Sequence, residues 1–86
     1  MKKRVALKYH APNAGRVFLA GSFNGWNGSV NPLKKNSKGE WSITLHLYPG
    51  TYEYLFVVDG EWKRDPACKN YHLNRYGGHN CVLIVE

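Results

Sequence analysis

Apolar and polar side chains alternate along much of the chain, as they do in strands that bury one face. The clearest stretch is 40–47, in which Trp41 and every second residue after it are apolar, while the residues between them are polar. Residues 51–58 place Tyr, Tyr, Phe and Val at every second position, directly after the turn pair Pro49-Gly50. We predict that the two stretches form a hairpin with one buried side, and that Trp41 belongs to the core.

Turn signals divide the rest of the chain into short strands. The dipeptide Asp59-Gly60 favours a two-residue turn with positive φ angles, after which a strand should run back through 61–63. Further strands are predicted in three places, 5–10, 16–20 and 80–85. Two longer segments lack a pattern and are expected to be loops, 21–36 and 64–79. Because no window carries a helical stripe, we expect an all-β sandwich of about seven antiparallel strands.

The length and composition of the chain limit the classes of protein that it can be. With 86 residues, of which 43% are hydrophobic and 21% charged, we expect one globular domain spanning 1–86. No stretch is long and apolar enough to cross a membrane or to form the core of a secretory signal. Two cysteines, Cys68 and Cys81, are too few for a disulfide scaffold. We therefore expect reduced thiols and a cytoplasmic location, with a single bridge between the cysteines as the alternative.

Catalysis has weak support in the sequence. Asp59, Glu61 and Asp65 lie close together and are candidates for acid–base chemistry, but we interpret Asp59 as a turn residue and the other two as solvated. The chain contains no nucleophile, phosphate-loop or metalloprotease motif. A small sandwich also offers little room for a cleft that excludes water. We therefore expect a protein that is not an enzyme.

Metal ions and nucleic acids are also weakly supported. Cys68, His72, His79 and Cys81 form the pattern C-x3-H-x6-H-x-C, which matches no common zinc motif, so we expect no metal and no other cofactor. The net charge is +6. Its lysines cluster at the start of the chain and in a turn, rather than among aromatic residues along one surface. We therefore do not expect nucleic acid as a partner.

Two tryptophans lie outside any buried pattern. Trp26 is in a polar, glycine-rich segment, and Trp62 follows the predicted turn among charged neighbours. Either ring could cap the end of the core, but an exposed ring marks a binding surface. One face of a glucose unit presents C–H groups that pack flat on an indole, while its hydroxyl groups need amides such as those of Asn24 and Asn80, or a lysine. The pattern indicates a shallow platform for a polysaccharide.

These residues resemble a known family. The segment Leu19-Ala20-Gly21-Ser22-Phe23-Asn24-Gly25-Trp26 is similar to the opening motif of family 48 carbohydrate-binding modules. The same motif occurs in the glycogen-binding domain of the AMP-activated kinase β subunit and in the early-set domains of isoamylases and branching enzymes. Similar segments follow over 5–86, among them 39–41, 47–50, 52–54, 56–62, 65–66 and 77–80. The resemblance implies an immunoglobulin-like sandwich that binds α-1,4-linked glucans such as glycogen and starch.

The resemblance also implies individual contact residues. The two stacking tryptophans of the family fall on Trp26 and Trp62, and its sugar-binding asparagine falls on Asn80. A leucine that kinase-type members insert against the sugar falls on Tyr76, whose ring could stack instead. A threonine contact of the same loop falls on Gly78, so that contact is absent.

Leu55 departs from the family pattern. Kinase-type members place a lysine here that bonds to the glucan, whereas an outward-facing leucine packs against a sugar but donates no hydrogen bond. A bond to a charged donor contributes about 1.5–3 kcal/mol, so binding should be about tenfold weaker unless Lys63, Lys69 or Arg75 takes over. The prediction is a non-catalytic glucan-binding module that includes Leu55 among its contacts. The alternative is a module of the same fold that docks on a catalytic domain or subunit without appreciable glucan binding.

Overall fold

Eight β-strands and one 3-10 turn make up the regular structure of the protein, whose computed structural model describes residues 1–86. The strands are β1 (Lys3–His10), β2 (Val17–Gly21), β3 (Lys34–Lys35), β4 (Glu40–Leu47), β5 (Gly50–Val58), β6 (Glu61–Lys63), β7 (Tyr71–Leu73) and β8 (His79–Val85). The 3-10 turn, Ser22–Asn24, directly follows β2. The chain forms no helix with the length and hydropathy that crossing a membrane requires.

The strands form two antiparallel sheets. The smaller sheet has the order β1-β4-β3, and the larger sheet has the order β2-β5-β8-β7, with β6 paired to the end of β5. The inner faces of both sheets supply the buried apolar side chains, as in sandwich proteins. The predicted all-β sandwich is therefore confirmed.

β4 and β5 do not pair, so the predicted hairpin is wrong. β4 pairs with β1 and β3 in the smaller sheet, whereas β5 lies between β2 and β8 in the larger one. Tyr48 and Pro49 carry the chain across from one sheet to the other. Alternation marks a buried face on each strand, but the pattern is the same whether two strands lie side by side or face each other across a core.

Two strands lie in segments that were expected to be loops, which is why the protein has eight strands. β3 consists of Lys34 and Lys35, and both residues are exposed. β7 consists of Tyr71–Leu73, and all three residues are exposed. Because neither strand buries a face, neither carries an alternating pattern that sequence analysis could detect.

The core lies between the two sheets. Its largest fully buried side chains are Phe56, Leu19, Val17 and Cys81. Trp41 is 7% exposed, and its indole N–H donates a hydrogen bond to the carbonyl oxygen of Ala11 at 2.8 Å. The prediction that Trp41 belongs to the core is confirmed, which leaves the other two tryptophans as candidates for a surface role.

Cys68 and Cys81 form a disulfide, so the expectation of two reduced thiols is wrong and the alternative of a single bridge is correct. Their Cα atoms are 6.0 Å apart, a usual distance for bridged cysteines. The Cys68 N–H donates to the carbonyl oxygen of Asp65 at 3.1 Å, and this turn brings Cys68 over β8. The bridge therefore ties the segment after β6 to the strand that carries Asn80.

The same turn buries a carboxyl group that was expected to be solvated. Asp65 is 4% exposed, and its Oδ2 accepts a hydrogen bond from the Tyr54 hydroxyl at 2.7 Å. Its Oδ1 accepts from the Ala67 N–H at 2.9 Å. Burial, followed by the hydrogen bond and the charge of Asp65, raises the pKa of Tyr54 above its usual value. The phenol therefore stays protonated as the donor to the carboxylate, and the interpretation of Asp65 as solvated is wrong.

Candidate functional site

A groove on the outer face of the larger sheet brings the five predicted contact residues together. Its volume is about 680 Å³. Seven residues line it, namely Trp26, Leu55, Trp62, Asn74, Arg75, Tyr76 and Asn80. They come from the loop after β2, from β5 and β6, and from the β7–β8 loop with the start of β8. The fold therefore places side chains that are far apart in sequence around one concave surface, which we call the groove.

Trp26 is held by the backbone of the turn that follows β2. Gly25 and Trp26 both adopt left-handed conformations, with φ angles of 68° and 60°. The Trp26 N–H donates to the carbonyl oxygen of Gly21 at 2.9 Å, which closes the turn. A left-handed conformation is uncommon for a bulky residue. The half-buried indole is therefore placed in the groove by a backbone geometry that its own side chain does not favour.

Asn24 does not face a ligand, although its amide was considered for sugar binding. Its Oδ1 accepts from the Gly21 N–H at 3.0 Å, and its Nδ2 donates to the Leu19 carbonyl oxygen at 2.9 Å and to Asn31 Oδ1 at 2.7 Å. These bonds use the amide within the loop. Asn24 thus holds the turn that positions Trp26.

Trp62 is presented by the predicted turn and strand. Asp59 and Gly60 have φ angles of 48° and 86°, and Trp62 pairs with Val57 on β5. Gly28 packs against this pair, since a Cβ there would lie 3.0 Å from Val57 Cγ2 and 3.5 Å from Trp62 Cζ2. Trp62 remains 50% exposed. One edge of the indole is thus supported by the loop, while the rest faces solvent.

Tyr76 lies at the tip of the β7–β8 loop, 74–78, and is 86% exposed. The side chain of Asn74 orders this loop, since its Oδ1 accepts from the Tyr76 N–H at 2.9 Å and from the Gly78 N–H at 3.0 Å. The Arg75 guanidinium carbon lies 5.9 Å from the centroid of the Tyr76 ring. An exposed aromatic ring is therefore presented on a hydrogen-bonded frame.

Asn80 forms the floor of the groove and is 8% exposed. Its Oδ1 accepts from Asn74 Nδ2 at 3.1 Å, and its Nδ2 donates to Glu53 Oε1 at 3.1 Å. Glu53 Oε1 also lies 3.3 Å from His72 Nδ1. A carboxamide has two N–H donors and two acceptor positions. These contacts orient the Asn80 amide and leave it one donor and one acceptor position for a ligand.

Leu55 is half-buried and lies between the groove and a neighbouring concavity of about 710 Å³, which we call the second hollow. The second hollow shares Leu55, Trp62 and Asn74 with the groove and adds Lys63, Arg64, Asp65, Tyr71 and His79, among others. Of the three basic residues considered as replacements for the family lysine, Arg75 lines the groove, Lys63 lines the second hollow, and Lys69 lines neither.

Asn74 is not among the residues predicted from the sequence, and Arg75 is predicted only as a substitute donor. The signal for Asn74 is present in the chain, because Asn36-Ser37-Lys38-Gly39 and Asn74-Arg75-Tyr76-Gly77 share the pattern Asn-x-x-Gly between short strands. An asparagine at the start of such a turn bonds to backbone N–H groups further along. The second occurrence could have indicated that the ring of Tyr76 stands on an ordered loop.

The side chains considered for metal binding do not converge. No group of three or more His, Cys, Asp or Glu side chains is placed to hold a metal ion. Cys68 and Cys81 are joined to each other, and His72 lies beside Glu53. The chemistry that the site offers is therefore stacking on exposed rings and hydrogen bonding from amides and one guanidinium.

Comparisons with known proteins identify a family and a fold for the chain. A family model described as the glycogen recognition site of AMP-activated protein kinase matches residues 4–86. A maltogenic amylase from S. marinus has a region of the same fold, with a TM-score of 0.84 and 21% identity over all of this chain and 14% of that chain.

Curated relatives come from plants and yeast. Protein PTST homolog 2 of Arabidopsis thaliana is 52% identical over 87% of this chain, and Protein FLOURY ENDOSPERM 6 of rice is 47% identical over 84%. Cruciform DNA-recognizing protein 1 of Saccharomyces cerevisiae is 31% identical over 81% of the chain. The matches span only 14%, 13% and 16% of the lengths of these relatives.

The names of the plant relatives correct one expectation. Both are named as chloroplastic proteins. The expectation of a cytoplasmic location is therefore wrong, and the relatives point to a plastid. The two cysteines on which that expectation partly depended are joined in a disulfide rather than reduced.

Proposed function

The chain belongs to the family of the glycogen recognition site of AMP-activated protein kinase, and from this premise we propose that it binds α-1,4-linked glucans without catalysing a reaction. We take 1–86 as a single binding module. The observation that carries the proposal is the convergence of Trp26, Leu55, Trp62, Tyr76 and Asn80 on one groove.

Stacking supplies most of the proposed binding energy. Two indoles and one phenol ring face the groove, and the apolar faces of consecutive glucose units pack against them. Leu55 adds apolar contact between Trp62 and the rest of the groove. Well-placed aromatic residues at the centre of an interface each contribute about 2 kcal/mol or more.

Hydrogen bonds to sugar hydroxyls set the position of the glucan. Asn80 offers one N–H and one acceptor position, and its contacts with Asn74 and Glu53 fix its orientation before a ligand arrives. Arg75 supplies the charged donor that Leu55 cannot, since it is the cation that lines the groove. A donor on a flexible arginine is ordered less well than one on the sheet, which supports weak binding, on the order of 10 µM to 1 mM.

Docking on a catalytic domain or subunit is the second candidate. The absence of the family lysine at Leu55 favours it, because the groove then has fewer donors for sugar hydroxyls. The strongly exposed Tyr76 and Trp62 favour it as well, since exposed aromatic residues anchor protein interfaces. The two plant relatives are much longer than the matched region, so in those proteins such a module has other segments beside it.

Titration with maltoheptaose, followed by tryptophan fluorescence, tests the proposal. Trp41 is buried, so a change on binding reports on Trp26 and Trp62. We expect saturable quenching in the wild-type protein, and its loss in Trp62→Ala with an unchanged near-UV circular dichroism spectrum from the core. Tyr48→Ala removes an exposed ring outside the groove and serves as the matched control, with unchanged binding expected.

If the wild-type protein gives no response at ~10 mM sugar, glucan binding is contradicted and docking is favoured, because that concentration lies above the proposed range of dissociation constants. A response that Trp62→Ala retains would contradict the assignment of the groove.

A further inference from the structure

The second hollow continues the groove on the other side of Trp62. Both concavities share Leu55, Trp62 and Asn74, and the second hollow has a volume of about 710 Å³. A glucose unit stacked on Trp62 therefore has substituents within reach of the side chains that line the second hollow. The proposed contacts described above leave this volume unused.

Arg64 brings an unpaired positive charge to the second hollow. Its guanidinium carbon lies 5.3 Å from the centroid of the Tyr71 ring, which supports the planar group from one side. Lys63 pairs with Glu61, His72 lies beside Glu53, and no carboxylate lies within ion-pair distance of Arg64. A guanidinium held on an aromatic ring presents a fork of N–H donors that fits phosphate or carboxylate oxygens.

The carboxylate that lines the second hollow is directed to other partners. Asp65 is 4% exposed, and its oxygens accept from the Tyr54 hydroxyl and the Ala67 N–H. Lys63, although paired with the exposed Glu61 at 3.4 Å, adds a second cationic donor, an ammonium group, at the rim. Arg64 and Lys63 therefore place two positive charges among the neutral donors of the second hollow, such as the Tyr71 hydroxyl and the Trp62 indole N–H. A neutral sugar does not need positive charges, whereas an anionic substituent does.

Resting on the glucan binding proposed above, we propose that the second hollow binds a phosphate monoester on a glucose unit, so that the protein prefers phosphorylated to neutral α-glucans. Arg64 is the main contact and Lys63 a rim contact. A nucleic acid fits less well, because a phosphate backbone needs a track of cations. The groove and the second hollow together present three cations, Arg75, Lys63 and Arg64, while the lysines of β1 (Lys3 and Lys8) and of β3 (Lys34 and Lys35) lie in the smaller sheet.

The test compares one ligand in two chemical states. A maltodextrin carrying phosphate monoesters is titrated into the protein before and after complete treatment with alkaline phosphatase, with neutral maltoheptaose as a reference. We expect the phosphorylated form to bind about tenfold more tightly than the treated form at low salt, and the advantage to shrink as the salt concentration rises.

Two variants with the same loss of charge locate the effect. Arg64→Gln should abolish the preference for the phosphorylated form and leave the affinity for neutral maltoheptaose within about twofold of wild type, since Arg64 lies outside the groove. Arg4→Gln, on β1 of the smaller sheet, should keep the preference. Unchanged near-UV circular dichroism confirms that both variants fold.

The outcomes separate this inference from the proposed function. If neutral maltoheptaose binds but phosphate gives no advantage, or if both variants lose the advantage equally, the phosphate site is refuted while glucan binding stands. If neither glucan binds, the proposed function itself fails. Tighter binding of a short DNA duplex than of the phosphorylated dextrin at the same salt concentration would overturn the inference in favour of nucleic acid.

Discussion

The β3–β4 loop and the β7–β8 loop have the same construction in the two sheets. In each, five residues separate a pair of opposed strand residues, Lys35 with Trp41 and Leu73 with His79. Asn36 Oδ1 accepts from N–H groups two and four residues on, at 2.8 and 3.0 Å, and Asn74 Oδ1 does the same at 2.9 and 3.0 Å. The frame of the loop is therefore independent of the sheet that it joins.

The loops differ in what surrounds that frame. The tip of the β3–β4 loop carries Ser37 and Lys38, whereas the tip of the β7–β8 loop carries Arg75 and Tyr76. The amide nitrogen of Asn36 donates to the half-buried Glu40 at 3.3 Å, and that of Asn74 donates to Asn80 in the groove at 3.1 Å. The comparison teaches that one turn serves folding in one sheet and, in the other, also holds residues of the proposed binding groove.

Replacement of the glycine in each loop should give the largest difference in stability between the two loops. Gly39 and Gly77 have φ angles of 80° and 85°, but a Cβ at Gly39 would lie 2.6 Å from Pro12 Cβ, whereas nothing lies within 4 Å of one at Gly77. Gly39→Ala should lower the free energy of unfolding by about 3 kcal/mol, and Gly77→Ala by about 1 kcal/mol. Urea denaturation measures both, and equal losses would show that the surroundings of the loops do not matter.

Removal of the framing amide should affect binding in one loop only. Asn74→Ala frees the Tyr76 loop and removes the N–H donor to Asn80 Oδ1, so the affinity for maltoheptaose should fall about thirtyfold, or ~2 kcal/mol. Asn36→Ala should lower thermal stability while the affinity stays within about twofold. Isothermal titration and thermal unfolding of both variants decide, and a loss of affinity in Asn36→Ala would break the comparison.

Exchange of the tip residues should have a smaller effect. Tyr76→Ala removes one exposed ring and should weaken glucan binding by about 1 kcal/mol, roughly fivefold. Lys38→Ala, at the corresponding position of the other loop, should change neither affinity nor stability by more than ~0.5 kcal/mol. Fluorescence titration provides the affinities. Unchanged binding in Tyr76→Ala would remove that residue from the proposed contacts.

The hydrogen bond from Asn36 Nδ2 to the Glu40 side chain should contribute least to stability. Glu40→Gln weakens an exposed hydrogen bond from Asn36 Nδ2 and should cost no more than about 0.5 kcal/mol of stability. The free energy of unfolding in urea measures the cost. A loss above ~1.5 kcal/mol would mean that the bond from the amide nitrogen of Asn36 is as important in the smaller sheet as the bond from that of Asn74 is in the larger one.

Much of the fold was predictable because a strand that buries one face shows an alternation of apolar and polar residues in the sequence. The core position of Trp41 and the turn at Asp59-Gly60 followed from alternation and from turn chemistry. The pairing of β4 with β1 rather than β5 did not, since alternation contains no information about which edges meet. β7 was not predicted because its residues are exposed, and the disulfide was only the alternative because two cysteines alone do not show that their backbones approach.

The residues of the proposed site could be predicted from the sequence, but the hydrogen bonds that hold them in place could not. Trp26 and Trp62 stood out because their surroundings were polar, Asn80 was a candidate because of its amide, and the family resemblance added Leu55 and Tyr76. The role of Asn74 depends on hydrogen bonds to the Tyr76 N–H and the Asn80 amide, which form only when the loop and β8 are side by side. Contacts of this kind depend on tertiary structure and leave little trace in a single sequence.

The left-handed backbone at Trp26 has a consequence for engineering. With φ at 60°, this position suits glycine or asparagine better than an indole, by about 1 kcal/mol. A redesign that selects for thermal stability alone would tend to replace Trp26 and thereby remove one wall of the groove. Any search for hardier versions of this protein should therefore hold residue 26 constant, or select for retention on starch at every round.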